Sequence, residues 1–160
     1  MNLYDESPLI LVVCTGNVCR SPMAEAKIRS VLGERRLGAQ VISRGLSAPI
    51  GRPPHPFAID VCAQDGVAIH PEKRAAQISS AEVSSAAIVL VMDFGHRQEM
   101  QRRYPSILGK TFLLGHWQAQ EIEDPINQTL EVFESVWIKI KQSAEVWVDK
   151  MLEAGLIAPS

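Results

Sequence analysis

Residues 9–27 read "LILVVCTGNVCRSPMAEAK", Leu9 to Lys27. An unbroken run of apolar β-formers stops at Cys14, a short polar loop follows, and Arg20-Ser21-Pro22 opens a helix-like run. The apolar run is too short and too β-branched for a helix, so it predicts a strand buried on both faces. Ser21 suits an N-cap and Pro22 the first helical position, which predicts a helix over "SPMAEAKIRSVLGE". A strand, a tight loop and a helix start, in that order, make an anion site. The loop N–H groups converge into a nest, and the helix N-terminus adds positive potential. Gly16 lets the backbone approach a ligand closely, and Asn17 tolerates left-handed conformations. Arg20 can fork two N–H bonds onto two oxygens of a phosphate. The same positive cradle favours Cys14 as a thiolate nucleophile, and Ser21 can donate a hydrogen bond to its sulfur. The loop reads as a seat for a tetrahedral dianion with a nucleophile aimed at its centre.

Each residue alone has a plainer reading. Strand-end cysteines are often core residues, arginines are mostly on the surface, and Cys-x₅-Arg by itself is a weak pattern. The phosphate loop is favoured because Gly16, Asn17, Ser21, Pro22, the preceding strand and the following helix all agree with it. Zinc is disfavoured. Cys14 and Cys19 lack knuckle spacing, and His55, His70, His96 and His116 form no paired ligand set.

Outward from this stretch, "QVIS", "AAIVLVM" and "KTFLL" read as further strands. "PFAIDVCAQDG" reads as a short helix stopped by Gly66, with Cys62 on its core face, and "FGHRQEMQRRYP" as a polar helix ended by Pro105. A long amphipathic helix runs from about Asn127 to Glu153, before Gly155. Its stripe of Leu130, Phe133, Trp137, Ile140, Ala144, Trp147 and Met151 is wide and aromatic, which fits a helix laid on a sheet better than a zipper. "APIGRPPHP", Ala48 to Pro56, is a Pro/Gly-rich loop expected beside the site. Four strands alternate with four helices along the sequence. That pattern predicts an α/β fold of three layers: a four-stranded parallel sheet with helices on both faces and the phosphate loop after the first strand. In such sheets ligands sit at the carboxyl ends of strands, where the order switches.

A chain of 160 residues suits one domain over residues 1–160. Hydrophobic content of 46% with 21% charged residues excludes a disordered chain. A net charge of −2 with the signs mixed leaves no broad basic surface for nucleic acid. "LILVV" is too short to insert across a membrane, and "MNLYDESP" is acidic, unlike the start of a signal peptide. Three cysteines without framework spacing predict a cytoplasmic protein with reduced thiols.

"VVCTGNVCRSP" resembles the signature of the low-molecular-weight protein tyrosine phosphatases: an apolar strand, then Cys-x-Gly-Asn-[Ile/Val]-Cys-Arg-Ser-Pro. "EIEDPINQ" matches the family's distant Asp-Pro, although Asp-Pro alone is an ordinary turn. "ISRGLSA", "HPEKRAAQIS", "AAIVLVMD" and "GKTFLLGHW" fall in family order, so the resemblance covers nearly the whole chain. "GKTFLLGHWQAQEIEDP" is most similar to the bacterial branch associated with capsule and exopolysaccharide synthesis.

The resemblance implies hydrolysis of phosphotyrosine through a phosphocysteine. It makes Cys14 the nucleophile and Arg20 the clamp. The backbone amides of Thr15, Gly16, Asn17, Val18, Cys19 and Arg20 become the phosphate seat, with Asn17 and Ser21 shaping the loop. Asp124 becomes general acid and then base, held by Pro125 in extended backbone. Cys19 is implied as a resolving thiol that pairs reversibly with the oxidised nucleophile, against the alternative of a small residue packing the loop. No cofactor and no metal are implied, because arginine and amides supply the positive charge. The implied partners are phosphotyrosine proteins, a cognate bacterial tyrosine kinase among them, for a monomer or weak dimer.

Two pocket walls depart from the family pattern. Ile126 stands where many members have an aromatic residue after Asp-Pro, and Ile50 stands at a second aromatic wall. Arg44 in "SRGL" replaces a more familiar small residue, and an added charge near the substrate entrance is one reading of it. Two other functions use similar loops. A thiol-dependent arsenate reductase needs a downstream cysteine pair, and only Cys62 follows the loop. A non-catalytic phosphate-binding module would be favoured by loss of Cys14, Arg20 or Asp124, and all three are present.

Overall fold

The computed structural model describes residues 6–160, so most of the acidic opening segment lies outside the described residues. In chain order the elements are β1 (Leu9–Cys14), α1 (Arg20–Glu34), β2 (Leu37–Gly38), β3 (Gln40–Gly45), α2 (Pro56–Gln64), α3 (Ser80–Ser85), β4 (Ala86–Val91), α4 (Phe94–Arg103), β5 (Thr111–Leu113), α5 (Leu130–Glu153) and β6 (Ala158–Pro159). Four strands form one parallel sheet in the order β3-β1-β4-β5. The chain moves to one side of β1 for β3 and crosses to the other for β4. The order therefore switches at β1, and a crevice opens outside its carboxyl end.

Side chains of β1 alternate between two cores, as strand geometry requires. Ile10, Val12 and Cys14 join the core shared with α1, α2 and α5, while Leu11 and Val13 join the one containing Val83 of α3 and Met100 of α4. Both faces are thus covered, which is why β1 reads as an unbroken apolar run. The stripe on α5 faces this structure as expected. Phe133, Trp137, Ile140, Ala144, Trp147 and Met151 are buried, and α5 packs on α1 and α2. Trp147 also donates from Nε1 to the Leu114 carbonyl at 2.8 Å, just past β5.

Three local readings differ from expectation. Cys19, not Ser21, is the N-cap of α1, with Ser21 and Pro22 already inside the first turn. The Ser21 hydroxyl is engaged elsewhere, as described below. Pro22 costs nothing there, because the first helical N–H groups have no intrahelical partner. The short helix α3, "SAEVSS", lies where the sequence shows no periodicity. Six residues are too few to show a helical period, and a capping box between Ser79 and Glu82 starts it. The antiparallel pair of β2 with β6 joins segments too short to carry a strand pattern.

Candidate active site

The loop from Cys14 to Arg20 lies at the carboxyl end of β1, directly before α1. Asn17 adopts a left-handed conformation, φ 56°, at zero exposure. Its side chain is saturated. Nδ2 donates to the Ser21 hydroxyl at 2.8 Å and to the Ser43 hydroxyl at 3.0 Å, and Oδ1 accepts from the Ala76 N–H at 3.0 Å. Asn17 therefore pins the loop to α1, to β3 and to the segment before α3. The Asn17 N–H points at Cys14 Sγ at 3.2 Å, and the Ser21 Oγ lies 2.9 Å from the same sulfur. Because Ser21 Oγ already accepts from Asn17, its proton is free for the sulfur. Two donors, the Asn17 N–H and the Ser21 hydroxyl, thus converge on the Cys14 sulfur.

Gly45 makes this packing possible. A Cβ there would lie 2.8 Å from the Thr15 carbonyl oxygen, closer than a side chain can sit, and a tight 3.2 Å from Asn17 Cβ. Gly16 is different. A Cβ there meets nothing nearer than 3.6 Å, so the protein's own packing does not demand glycine, and the residue lines the cleft.

Arg20 is buried at the foot of α1. Its Nη1 donates to the Ile122 carbonyl at 2.8 Å and reaches Asp93 Oδ2 at 3.3 Å, and its Nη2 lies 3.6 Å from Asp124 Oδ2. Asp124 Oδ1 accepts from the Ile126 N–H at 3.0 Å, a tight turn that orients the half-exposed carboxylate. One open cleft of about 200 Å³ is lined by Cys14, Thr15, Gly16, Val18, Cys19, Arg20, Asp124 and Ile126, together with Pro49 and Arg52. Two larger hollows, of about 650 and 600 Å³, lie near Phe112 and hold none of the loop residues.

Most of the residues expected from the sequence meet here, and Pro125 sits between two of them. Ile50 does not line the cleft. Arg52 N–H bonds back to the Pro49 carbonyl at 3.1 Å and Gly51 has φ 88°, the form of a type II turn with Ile50 at its tip. Ile50 is accordingly 77% exposed, and Pro49 and Arg52 line the cleft instead. Arg44 also has a different place. It donates from Nε to Glu82 Oε2 at 2.7 Å and from Nη1 to the Ser43 carbonyl at 2.7 Å, tying β3 to α3 and not lining the cleft. Burial, reinforced by the charges of Asp124 and Cys14 and opposed by Arg20, pushes the Cys19 thiol up to about 12. Cys62 is fully buried, and burial, with Asp65, pushes its thiol to about 12 as well. All three cysteines are free thiols.

Ser43, Gly45 and Asp93 belong to the site and are not singled out by the sequence, and His96, weighed there only as a zinc ligand, belongs to it as well. Asp93 caps α4 by accepting from the His96 N–H at 2.8 Å while holding Arg20. A signal for it was present: "VMDFGH" follows β4, and polar residues at strand carboxyl ends are site candidates by the rule that located Cys14.

With this geometry in hand, the relatives are informative. The family model described as low molecular weight phosphotyrosine protein phosphatase matches residues 9–155. A curated relative from Ralstonia nicotianae, probable low molecular weight protein-tyrosine-phosphatase EpsP, is 41% identical over 146 residues, 91% of this chain and 97% of its own. The crystal structure of the tyrosine phosphatase Wzb from Escherichia coli K30 in complex with sulphate superposes with a TM-score of 0.83 at 32% identity, covering 91% of this chain and 99% of that one. The YwlE arginine phosphatase from Geobacillus stearothermophilus also superposes at 0.83, with 29% identity over 93% of this chain and 96% of its own. The fold, the match over nearly the whole chain and the identity to EpsP lead to one conclusion: the chain belongs to the low-molecular-weight protein-tyrosine phosphatases, a family of phosphoric monoester hydrolases.

Proposed function

We propose that Cys14, Arg20 and Asp124 carry out phosphotyrosine hydrolysis in two displacements at phosphorus. The observation that carries this reading is that a thiol with two converging donors, a buried guanidinium and a half-exposed carboxylate line one cleft. In the first displacement Cys14 Sγ forms the S–P bond as the ester P–O bond breaks. The electron pair stays on the phenolic oxygen, which takes the proton of Asp124. In the second, the Asp124 carboxylate takes a proton from water. The water oxygen bonds to phosphorus, the S–P bond breaks, and the Cys14 thiolate returns with inorganic phosphate. Loop amides from Thr15 to Arg20 and the guanidinium of Arg20 bear the charge on the equatorial oxygens, which are preorganised and need no movement at the moment of reaction. Ile122 and Asp93 hold Nη1 of Arg20, which leaves Nη2, near Asp124, open to a phosphoryl oxygen.

The substrates in this reading are phosphotyrosine proteins, a bacterial tyrosine kinase or other proteins of exopolysaccharide synthesis first among them. The free thiols fit a reducing cytoplasm, and no described helix is long and apolar enough to cross a membrane. The test is release of phosphate from an aryl phosphate, then from peptides bearing phosphotyrosine, phosphoserine or phosphoarginine. Preference for phosphotyrosine is expected, with loss of turnover in Cys14→Ser. Preference for phosphoarginine would overturn the substrate class, and thiol-coupled arsenate reduction without ester hydrolysis would overturn the reaction.

A further inference from the structure

The start of α4 holds both ends of the phosphate loop. Asp93 reaches Arg20 at the C-terminal end of the loop, at 3.3 Å. Three residues on, the ring of His96 reaches Thr15 at the N-terminal end, with Nε2 2.9 Å from the hydroxyl Oγ1. His96 is buried, 5% exposed, and its other ring nitrogen is accounted for: the Met92 N–H donates to Nδ1 at 3.3 Å. An Nδ1 that accepts leaves the proton on Nε2. His96 is therefore a neutral imidazole that donates to the Thr15 hydroxyl. The Thr15 carbonyl in turn accepts from the Ser47 N–H at 2.9 Å, so both its side chain and its backbone are tethered.

We propose that His96 is a positioning residue of the phosphate loop. In its neutral form it fixes the first residue after the nucleophile against the same helix start that fixes the arginine. It touches neither phosphorus nor leaving group. This rests on the phosphatase reading above and adds a residue to it.

The charged groups that face His96 are Arg20, Asp93 and Asp124. Burial first, then the Arg20 charge, hold the imidazole below the ordinary histidine range, with the two aspartates opposing. The neutral form thus prevails at neutral pH. Protonation at acid pH would set an Nδ1–H against the Met92 N–H, draw it toward Asp93 Oδ1, 3.5 Å away and already engaged in capping α4, and place a second cation beside Arg20. These changes loosen the loop.

The test is a double-mutant cycle on the full chain with an aryl phosphate: Thr15→Val, His96→Ala and the pair, with His96→Gln as the conservative replacement and a urea midpoint for each. Each single variant is expected to lower kcat/KM by about three- to ten-fold, the range of one hydrogen bond of ordinary strength. The double variant is expected to fall no further than the worse single. Gln places an amide donor near the position of Nε2, so His96→Gln restores most of the loss. It also removes the imidazole's share of the acid limb of the pH profile, leaving the share set by the Cys14 thiolate and the substrate dianion. Additive losses in the cycle, or an acid limb in His96→Gln that superimposes on the parent's in position and slope, overturn the assignment. If His96→Ala fails to fold, Thr15→Val and His96→Gln still decide it through turnover and the acid limb. An inactive parent would instead sink the phosphatase reading itself, so the two failures are separable.

Discussion

Replacing Asn17 with alanine tests how the loop is held. The substitution removes three hydrogen bonds at once, the buried ones to Ser21 and Ser43 and a partly buried one from the Ala76 N–H. At about 1 kcal/mol net for each, that is roughly 3 kcal/mol. It also places alanine at φ 56°, a conformation that costs an ordinary L-residue about 1–2 kcal/mol. Asn17→Ala should therefore lose about 4–5 kcal/mol of stability, read as a fall in the urea midpoint at constant slope. Asn17→Gly isolates the backbone share. Glycine adopts positive φ freely, so this variant should be milder by about 1 kcal/mol although it loses the same side-chain bonds. Turnover should collapse in both, because the side-chain bonds that hold the loop, and with it the backbone N–H aimed at Cys14 Sγ, are gone. A loss under about 1 kcal/mol in Asn17→Ala would refute the hydrogen-bond accounting. A glycine variant no better than the alanine variant would refute the backbone share.

Asp124→Asn should cost about 10²–10⁴-fold with poor leaving groups and little with activated ones, since only the former need a proton; equal losses across a leaving-group series would mark Asp124 as structural. Mild peroxide should oxidise Cys14 to a sulfenic acid, which Cys19 then attacks, forming the disulfide and releasing water. The Cys19 thiol, pushed up to about 12, is almost wholly protonated at neutral pH. After peroxide is quenched, disulfide formation followed by mass spectrometry should accelerate about tenfold per pH unit between pH 7 and 9; a rate independent of pH would exclude Cys19 as the attacking thiol. Ile126→Tyr should improve KM for aryl over alkyl phosphates by roughly three- to ten-fold, the worth of ring stacking beyond area, and an unchanged ratio would remove Ile126 from the ring wall.

The order strand, loop, helix around Cys14 was legible because its signals are local. A run buried on both faces must be apolar throughout, and a nest at a helix start needs particular residues within a few positions of one another. The parallel sheet followed from alternation of elements, and the stripe on α5 from its period. Asp124 could be named only through its resemblance to a family pattern, since 104 positions separate it from Arg20 and one Asp-Pro resembles any other. The tertiary structure alone decided what surrounds the loop. Ser21 has the composition of a cap, but its hydroxyl is taken by Cys14 and Asn17, which leaves Cys19 at the helix start. Ile50 was expected as a wall, and a type II turn through Gly51 puts it at an exposed tip. Arg44 found Glu82, 38 positions away. Gly45, Ser43, Asp93 and His96 gain their meaning only when β3 and β4 flank β1. Parallel pairing brings the carboxyl ends of strands together whatever their separation in sequence, and no local pattern records which residues will meet there.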